Sequence, residues 1–272
     1  MDEHRVIPAL HHALAQGESV ALCIVVATRG STPRRAGSKM LVYPDGRIVG
    51  TVGGGETEHR VVREALAALR EGRPRLLHYR LVRPEQGDPG VCGGEMHIYV
   101  EPVHPPPTLV IVGAGHVGRA LAHLAKWVGF RVIVADDRAE GCTPEAIPDA
   151  DECLAVPARD LAAHLTITPH TYVALVTRGS PVDVDALPAL LASPAAYVGV
   201  IGSRRRWQTT MQALRERGVS DEDLARVHAP IGLDIAAETP REIAVSIMAE
   251  IIAAYRAKRS TKDSRDGPKS AG

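Results

Sequence analysis

Apolar positions run through this chain in two rhythms. From residue 108 onward, a β-branched run at 108–112, a second at 131–135, and further candidate stretches at 152–156, 171–177 and 196–202 read as strands. Between them, helical periodicity marks 116–128, 159–164, 184–191 and 204–217. Strands apolar throughout, alternating with helices, call for a parallel sheet covered on both faces. The first part is different. A short amphipathic stretch at 6–16 ends at Gly17, and 19–28 is a Val/Ile/Leu strand. The stretches 38–43 and 47–52 flank Pro44-Asp45-Gly46, a strong hairpin signal. A helix from the Gly53 turn to about residue 70 and strands at 75–79 and 96–100 follow. The expected fold class is α/β: a C-terminal Rossmann-like parallel-sheet domain and a smaller N-terminal α+β domain.

The prolines Pro105, Pro106 and Pro107 favour an extended spacer. The expected domains are therefore 1–103 and 108–257, joined by a Pro-rich linker at 104–107. Thr239-Pro240-Arg241-Glu242 has the residues of a helix start, an N-cap followed by proline and, three on, glutamate. Residues 258–272 are rich in Lys, Ser, Asp and Gly and read as a disordered tail.

The most informative stretch follows the linker. After the run at 108–112 come Gly113, Ala114, Gly115, His116, Val117 and Gly118, then a helix, a second strand and Asp136. In a Rossmann unit the first glycine permits the turn and the second lets a pyrophosphate approach. The third lets helix and strand pack closely, and an acid about 20 residues on meets a ribose hydroxyl. His116 stands where it could cap the helix or touch a ligand. Asp136 favours NAD, whereas Arg138 could admit the extra phosphate of NADP. Ser203, Arg204 and Arg205 open a helix after a strand that ends at the ligand-binding edge, where guanidinium groups pair with phosphates.

Bulk properties narrow the class. The chain has 272 residues, is 45% hydrophobic but only 3% aromatic, and balances 32 Lys+Arg against 32 Asp+Glu. Such balance gives no reason to expect nucleic acid or an anionic membrane surface. No apolar run reaches the length of a membrane span, and the start lacks a signal-peptide pattern, so the expected location is cytoplasmic. Cys23, Cys92, Cys142 and Cys153 show no zinc-like spacing. Cys23 reads as core. Cys92 precedes Gly93 and Gly94, which leave its sulfur uncrowded.

Two further stretches carry candidate chemistry. The loop 29–37 is dense in Gly, Pro and cationic side chains, including Arg34 and Arg35. Gly53, Gly54 and Gly55 open a helix, where backbone N–H groups can cradle an anion or simply form a tight turn. Glu56 and Glu58 in the first helical turn favour the dipole and repel a bare phosphate.

Taken together, Thr28-Arg-Gly-Ser-Thr-Pro33, Val49-Gly-Thr-Val-Gly-Gly-Gly55, Val91-Cys-Gly-Gly94, the Gly113 to Gly118 loop, Thr177-Arg-Gly179, Ala195 to Arg205, Pro230 to Asp234 and Glu238 to Pro240 resemble the XdhC/CoxI family. These are accessory proteins of xanthine dehydrogenase and related molybdenum hydroxylases. The resemblance implies a non-catalytic chaperone that binds molybdenum cofactor (molybdopterin), supports its sulfuration with a cysteine desulfurase and delivers it to the hydroxylase, generally as a homodimer. Carried onto this chain, the cofactor contacts are Cys92, Gly93, Gly94, Gly53, Gly54, Gly55, Arg34 and Arg35. Cys92 is the candidate ligand to the cofactor's molybdenum, and the arginines or glycine N–H groups would hold its phosphate. Two positions depart from the family pattern. Some members carry cysteine where Glu56 stands, and many carry histidine where Ser180 stands.

Two rivals remain. An NAD(P)-dependent oxidoreductase would use the Rossmann half, although the sequence positions no clear proton donor and no tyrosine–lysine pair at helical spacing. A scaffold joining desulfurase to hydroxylase would need no small molecule at all.

Overall fold

Local chemistry explains most of the first unit. The computed structural model describes residues 3–81 and 92–263; of its two compact units, the second runs from Pro106 to Ala257, and the first holds the residues up to Pro105 together with those from Lys258. In the first, helix α1 (Glu3–Ala15) leads to β1 (Val20–Arg29), followed by β2 (Lys39–Val42) and β3 (Ile48–Gly50). The hairpin turn is held by the Asp45 carboxylate, which accepts from Arg47 N at 3.0 Å and Arg47 Nε at 2.6 Å. Helix α2 (Gly55–Glu71) then crosses to β4 (Arg75–Arg80) and β5 (Glu95–Val103). The five strands form an antiparallel sheet in the order β3-β2-β1-β5-β4. On one face, Val61, Ala65 and Ala68 of α2 pack on Cys23, Val25, Met96 and Ile98. On the other, Val6 and Ala13 of α1 pack on Val20, Leu22 and Leu41.

The second unit is a six-stranded parallel sheet. In chain order its elements are β6 (Thr108–Val112), α3 (His116–Trp127), β7 (Arg131–Ala135), β8 (Glu152–Leu154), α4 (Leu161–His164), β9 (Thr171–Leu175), α5 (Ser180–Leu191), β10 (Tyr197–Val200), α6 (Arg204–Glu216), α7 (Asp221–Leu224), β11 (Val227–His228) and α8 (Pro240–Asp263). The spatial order is β11-β10-β9-β6-β7-β8. Central β6 buries both faces. Leu109 and Ile111 join the layer with Leu121 and Ala125 of α3 and Ile247 and Ile251 of α8. Val110 and Val112 join the layer with Leu187 and Leu190 of α5 and Leu214 of α6. Each fully buried aliphatic of this kind stabilises the fold by about 1.5–3 kcal/mol.

The structure differs from the sequence expectations at several ends. Strand β5 runs on to Val103, past the expected end at residue 100, because Val103 pairs with Val20 of β1. Strand β11 was not anticipated. Helix α8 continues to Asp263, past residue 258 where a disordered tail was expected to begin. Lys and Arg are good helix formers and suit a helix C-terminus, so composition misleads there. The expected polar loop at 83–90 and residues 264–272 of the tail lie outside the described residues.

Candidate functional sites

In the second unit the strand order switches sides at β6: β7 and β8 are added on one side, β9 to β11 on the other, all parallel. Such a switch point opens a crevice at the carboxyl ends of the strands. A cavity of about 320 Å³ lies there. Its walls come from the residues after four strands: Val112, Gly113 and Gly115; Asp136 to Arg138; Val156 to Arg159; and Val176 to Arg178.

The three glycines have separable roles. Gly113 has φ +118°, and a Cβ there would lie 2.7 Å from Val176 O. A Cβ on Gly118 would collide with Gly113 O, so this glycine lets α3 lie against its own loop. A Cβ on Gly115 would meet nothing within 4 Å. No protein contact requires glycine at 115, and the open space beside it is the cavity. His116 is exposed at the start of α3 and is not part of the cavity wall.

Asp136 is buried at the end of β7, and its carboxylate is already engaged. Oδ2 accepts from Ala114 N at 2.8 Å and Arg138 Nη2 at 2.9 Å, while Oδ1 accepts from Arg138 N at 3.0 Å and Arg138 Nε at 2.8 Å. Burial alone would raise this carboxyl, but the hydrogen bonds from Arg138 and from the Ala114 and Arg138 N–H groups outweigh it. They hold it well below the usual carboxylate range. Its four acceptor directions, which a ribose diol would use, are filled from within the chain. Asp137 reaches sideways, and Arg178 Nη2 donates to its Oδ2 at 2.6 Å.

The basic cluster after β10 divides. Ser203 caps α6, accepting from Arg206 N at 3.2 Å. Arg204 and Arg205 are exposed and do not line the cavity. Arg206 turns inward instead, and this the sequence reading missed. Its Nη2 donates to Asp183 Oδ2 at 2.5 Å and to Thr177 Oγ1 at 3.0 Å, and Thr177 donates to Asp183 Oδ1 at 2.5 Å. Gly202 makes room for it, since a Cβ there would lie 2.7 Å from Arg206 Cδ. Asp183 is fully buried, and Thr177 is a wall residue of the cavity. The signal available in sequence was Thr177-Arg178-Gly179, but nothing local linked it to Arg206. Ser180 makes a 2.7 Å hydrogen bond with Thr210.

In the first unit, backbone packs on backbone. A Cβ on Gly94 would collide with Ser31 O and lie 2.6 Å from Arg29 O. A Cβ on Gly30 would lie 3.2 Å from both Gly93 O and Gly94 Cα. Gly93 N donates to Leu81 O at 2.8 Å, and Leu81 N to Gly94 O at 2.9 Å. The loop from Arg29 is therefore pressed onto the Gly93-Gly94 pair, with Cys92 exposed beside it. The same loop reaches the triple-glycine turn, because a Cβ on Gly53 would lie 3.1 Å from Pro33 Cγ. Arg34 and Arg35 follow Pro33 and are exposed. The structure thus brings together Cys92, Gly93, Gly94, the Arg34-Arg35 loop and Gly53.

Two of the turn's N–H groups, those of Gly53 and Gly54, are engaged from within the chain. Glu58 Oε2 accepts from Thr51 Oγ1 at 2.5 Å, Val52 N at 3.3 Å and Gly54 N at 3.4 Å, and Gly53 N donates to Thr51 Oγ1 at 3.2 Å. Glu56 points elsewhere, pairing with Arg60 Nε at 2.8 Å. The other cysteines differ from Cys92. Burial pushes the Cys23 thiol up to about 12 and the Cys142 thiol up to about 11. No group of three or more His, Cys, Asp or Glu side chains suited to a metal ion occurs among the described residues. No described helix is long and apolar enough to cross a membrane.

Comparison with known proteins places the chain in a family. The XdhC Rossmann domain pattern matches residues 109–251, and that of the XdhC and CoxI family matches residues 13–80. The Escherichia coli (strain K12) protein YqeB is 43% identical over 234 residues, covering 85% of this chain and 43% of its own length. A Bacillus subtilis (strain 168) protein, named as a probable xanthine dehydrogenase subunit, is 31% identical over 156 residues, 57% of this chain and 45% of that protein. The molybdenum cofactor insertion chaperone PaoD of Escherichia coli (strain K12) is 26% identical over 280 residues, 92% of this chain and 88% of PaoD. The chain thus spans less than half the length of the first two relatives and most of the third. With its Rossmann half matched nearly end to end, this chain belongs to the XdhC and CoxI family.

Proposed function

We propose that this protein binds molybdenum cofactor as cargo, supports its sulfuration and delivers it to a molybdenum hydroxylase of the xanthine dehydrogenase type. It does so in the cytoplasm as a homodimer, with a cysteine desulfurase as the sulfur source. The names of PaoD and of the Bacillus subtilis relative support the cargo and the recipient. The observation that carries the reading is the packing of the Arg29 loop, which goes on to carry the exposed Arg34 and Arg35, onto Gly93-Gly94 next to the exposed Cys92. A soft thiolate suits molybdenum that is already bound to dithiolene sulfur. Arg34 and Arg35 suit the phosphate at the other end of the pterin.

The Rossmann cavity supports a second, nucleotide-sized ligand in the same protein, through Gly115 and the α3 N-terminus. Because the Asp136 carboxylate is already fully engaged, the geometry favours a ligand held by its phosphates over one held by a ribose diol. That weighs against the NAD-dependent oxidoreductase. Transfer tests the proposal. Protein loaded with cofactor, mixed with cofactor-free xanthine dehydrogenase, is expected to restore hydroxylase activity. Cys92→Ala is expected to restore much less. Equal restoration by free cofactor alone would remove the delivery role.

A further inference from the structure

The triple-glycine turn has the form of an anion cradle, and it already contains an anion. The Glu58 carboxylate takes the hydroxyl of Thr51 and the N–H groups of Val52 and Gly54 through one oxygen. Thr51 in turn takes the N–H of Gly53. A carboxylate oxygen held by two backbone N–H groups and a hydroxyl occupies the place a phosphate oxygen would take. A second anion entering the turn would have to displace Glu58 or lie against its charge. The segment that touches this turn leads into the opposite charge. Gly53 abuts Pro33, and the next two residues, Arg34 and Arg35, are exposed and form no ion pair among the described residues.

From this we infer that Glu58 is a specificity-determining residue. It closes the glycine turn to external anions, so the phosphate group of the cargo is read by Arg34 and Arg35. The inference rests on the proposed cargo for its biological ligand but not for its chemistry. It also gives Glu58 a positioning role, since the turn it holds is the surface against which Pro33 rests. The glycines at 53, 54 and 55 then serve geometry rather than ligand contact. Gly53 and Gly54 have φ of 158° and 74°, which other residues adopt with strain.

The test uses the full chain and inorganic pyrophosphate as the probe, followed by calorimetry and by amide shifts in NMR spectra. Wild-type protein is expected to bind pyrophosphate with shifts centred on residues 34 and 35. An Arg34→Ala/Arg35→Ala variant should bind at least about tenfold more weakly. Glu58→Gln keeps an acceptor oxygen for Thr51 and the turn, and should bind through the arginines within about threefold of wild type. Glu58→Ala empties the turn and should gain a pyrophosphate site that persists when both arginines are also replaced. Wild-type binding unaffected by loss of both arginines, with shifts at 53–55, would overturn the inference. So would a folded Glu58→Ala variant that gains no site. Should that variant not fold, Glu58→Gln combined with the arginine pair decides: binding with amide shifts at residues 53–55 overturns the inference, and the absence of shifts at 53–55 and at 34–35 supports it. Failure of the chaperone reading would appear separately, as a protein that retains no pterin while behaving toward pyrophosphate as described.

Discussion

Four donors converge on the Asp136 carboxylate, and they set how the second unit responds to acid. A folded-state value held below the unfolded value of about 3.9 adds stability that is fully present above that value. The stability is lost as pH falls from there through the lower folded value. Urea unfolding between pH 2 and pH 7 should therefore show an acid-side decline, and Asp136→Asn should flatten it by the share of one proton. An unchanged slope in the variant would mean that the bonds to Ala114 and Arg138 do not persist in solution. Thiol chemistry separates at the same scale. Cys92 is exposed, whereas Cys23 and Cys142 are buried with raised values. Alkylation by iodoacetamide at pH 8, followed by peptide mass mapping, should label Cys92 first, with Cys23 and Cys142 reacting only on unfolding. Rapid labelling of Cys23 would contradict the packing of β1 against α2.

At the scale of elements, the strand–loop–helix from β6 to α3 yields a paired prediction. Gly118→Ala drives a Cβ into Gly113 O and should lower stability by roughly 1–3 kcal/mol or more. Gly115→Ala meets nothing within 4 Å and has an ordinary φ of −75°, so it should leave stability within about 0.5 kcal/mol. If the cavity takes a nucleotide, Gly115→Ala should weaken that binding, read by melting temperature with and without the ligand. Equal melting of both variants would contradict the division of roles. The spacing of these glycines was legible because strand, turn and helix are adjacent in sequence. Arg206 was not, since its partners lie on the β9 end and on α5, 29 and 23 residues away. The Glu58 arrangement was half legible. Its place in the first turn of α2 was clear, but a helix dipole explanation does not reveal a side chain folded back over its own N-terminus. At the start of α7, Ser220 Oγ accepts from Asp223 N at 3.1 Å and donates to Asp223 Oδ2 at 2.8 Å.

For the whole molecule, the alternation of strands and helices after residue 108 announced a parallel sheet, because each crossover leaves its signature locally. The antiparallel order of the first unit did not. There β1 pairs with β5, joining Val20 to Val103 across more than 80 positions, and no periodicity encodes that choice. The proximity of Cys92 to the Arg34 loop follows from the same pairing, since Thr28 lies opposite Met96 and Arg29 opposite Glu95. The candidate site thus exists only once the sheet has formed, although each of its pieces was visible in sequence. The account's central claim is that this assembled surface holds molybdenum cofactor. The most direct measurement is pterin and molybdenum per protomer after anaerobic purification from a cofactor-producing host, with Cys92→Ala alongside. Near-stoichiometric pterin that falls sharply in the variant is the predicted result, and a folded wild-type protein carrying no pterin would contradict the claim.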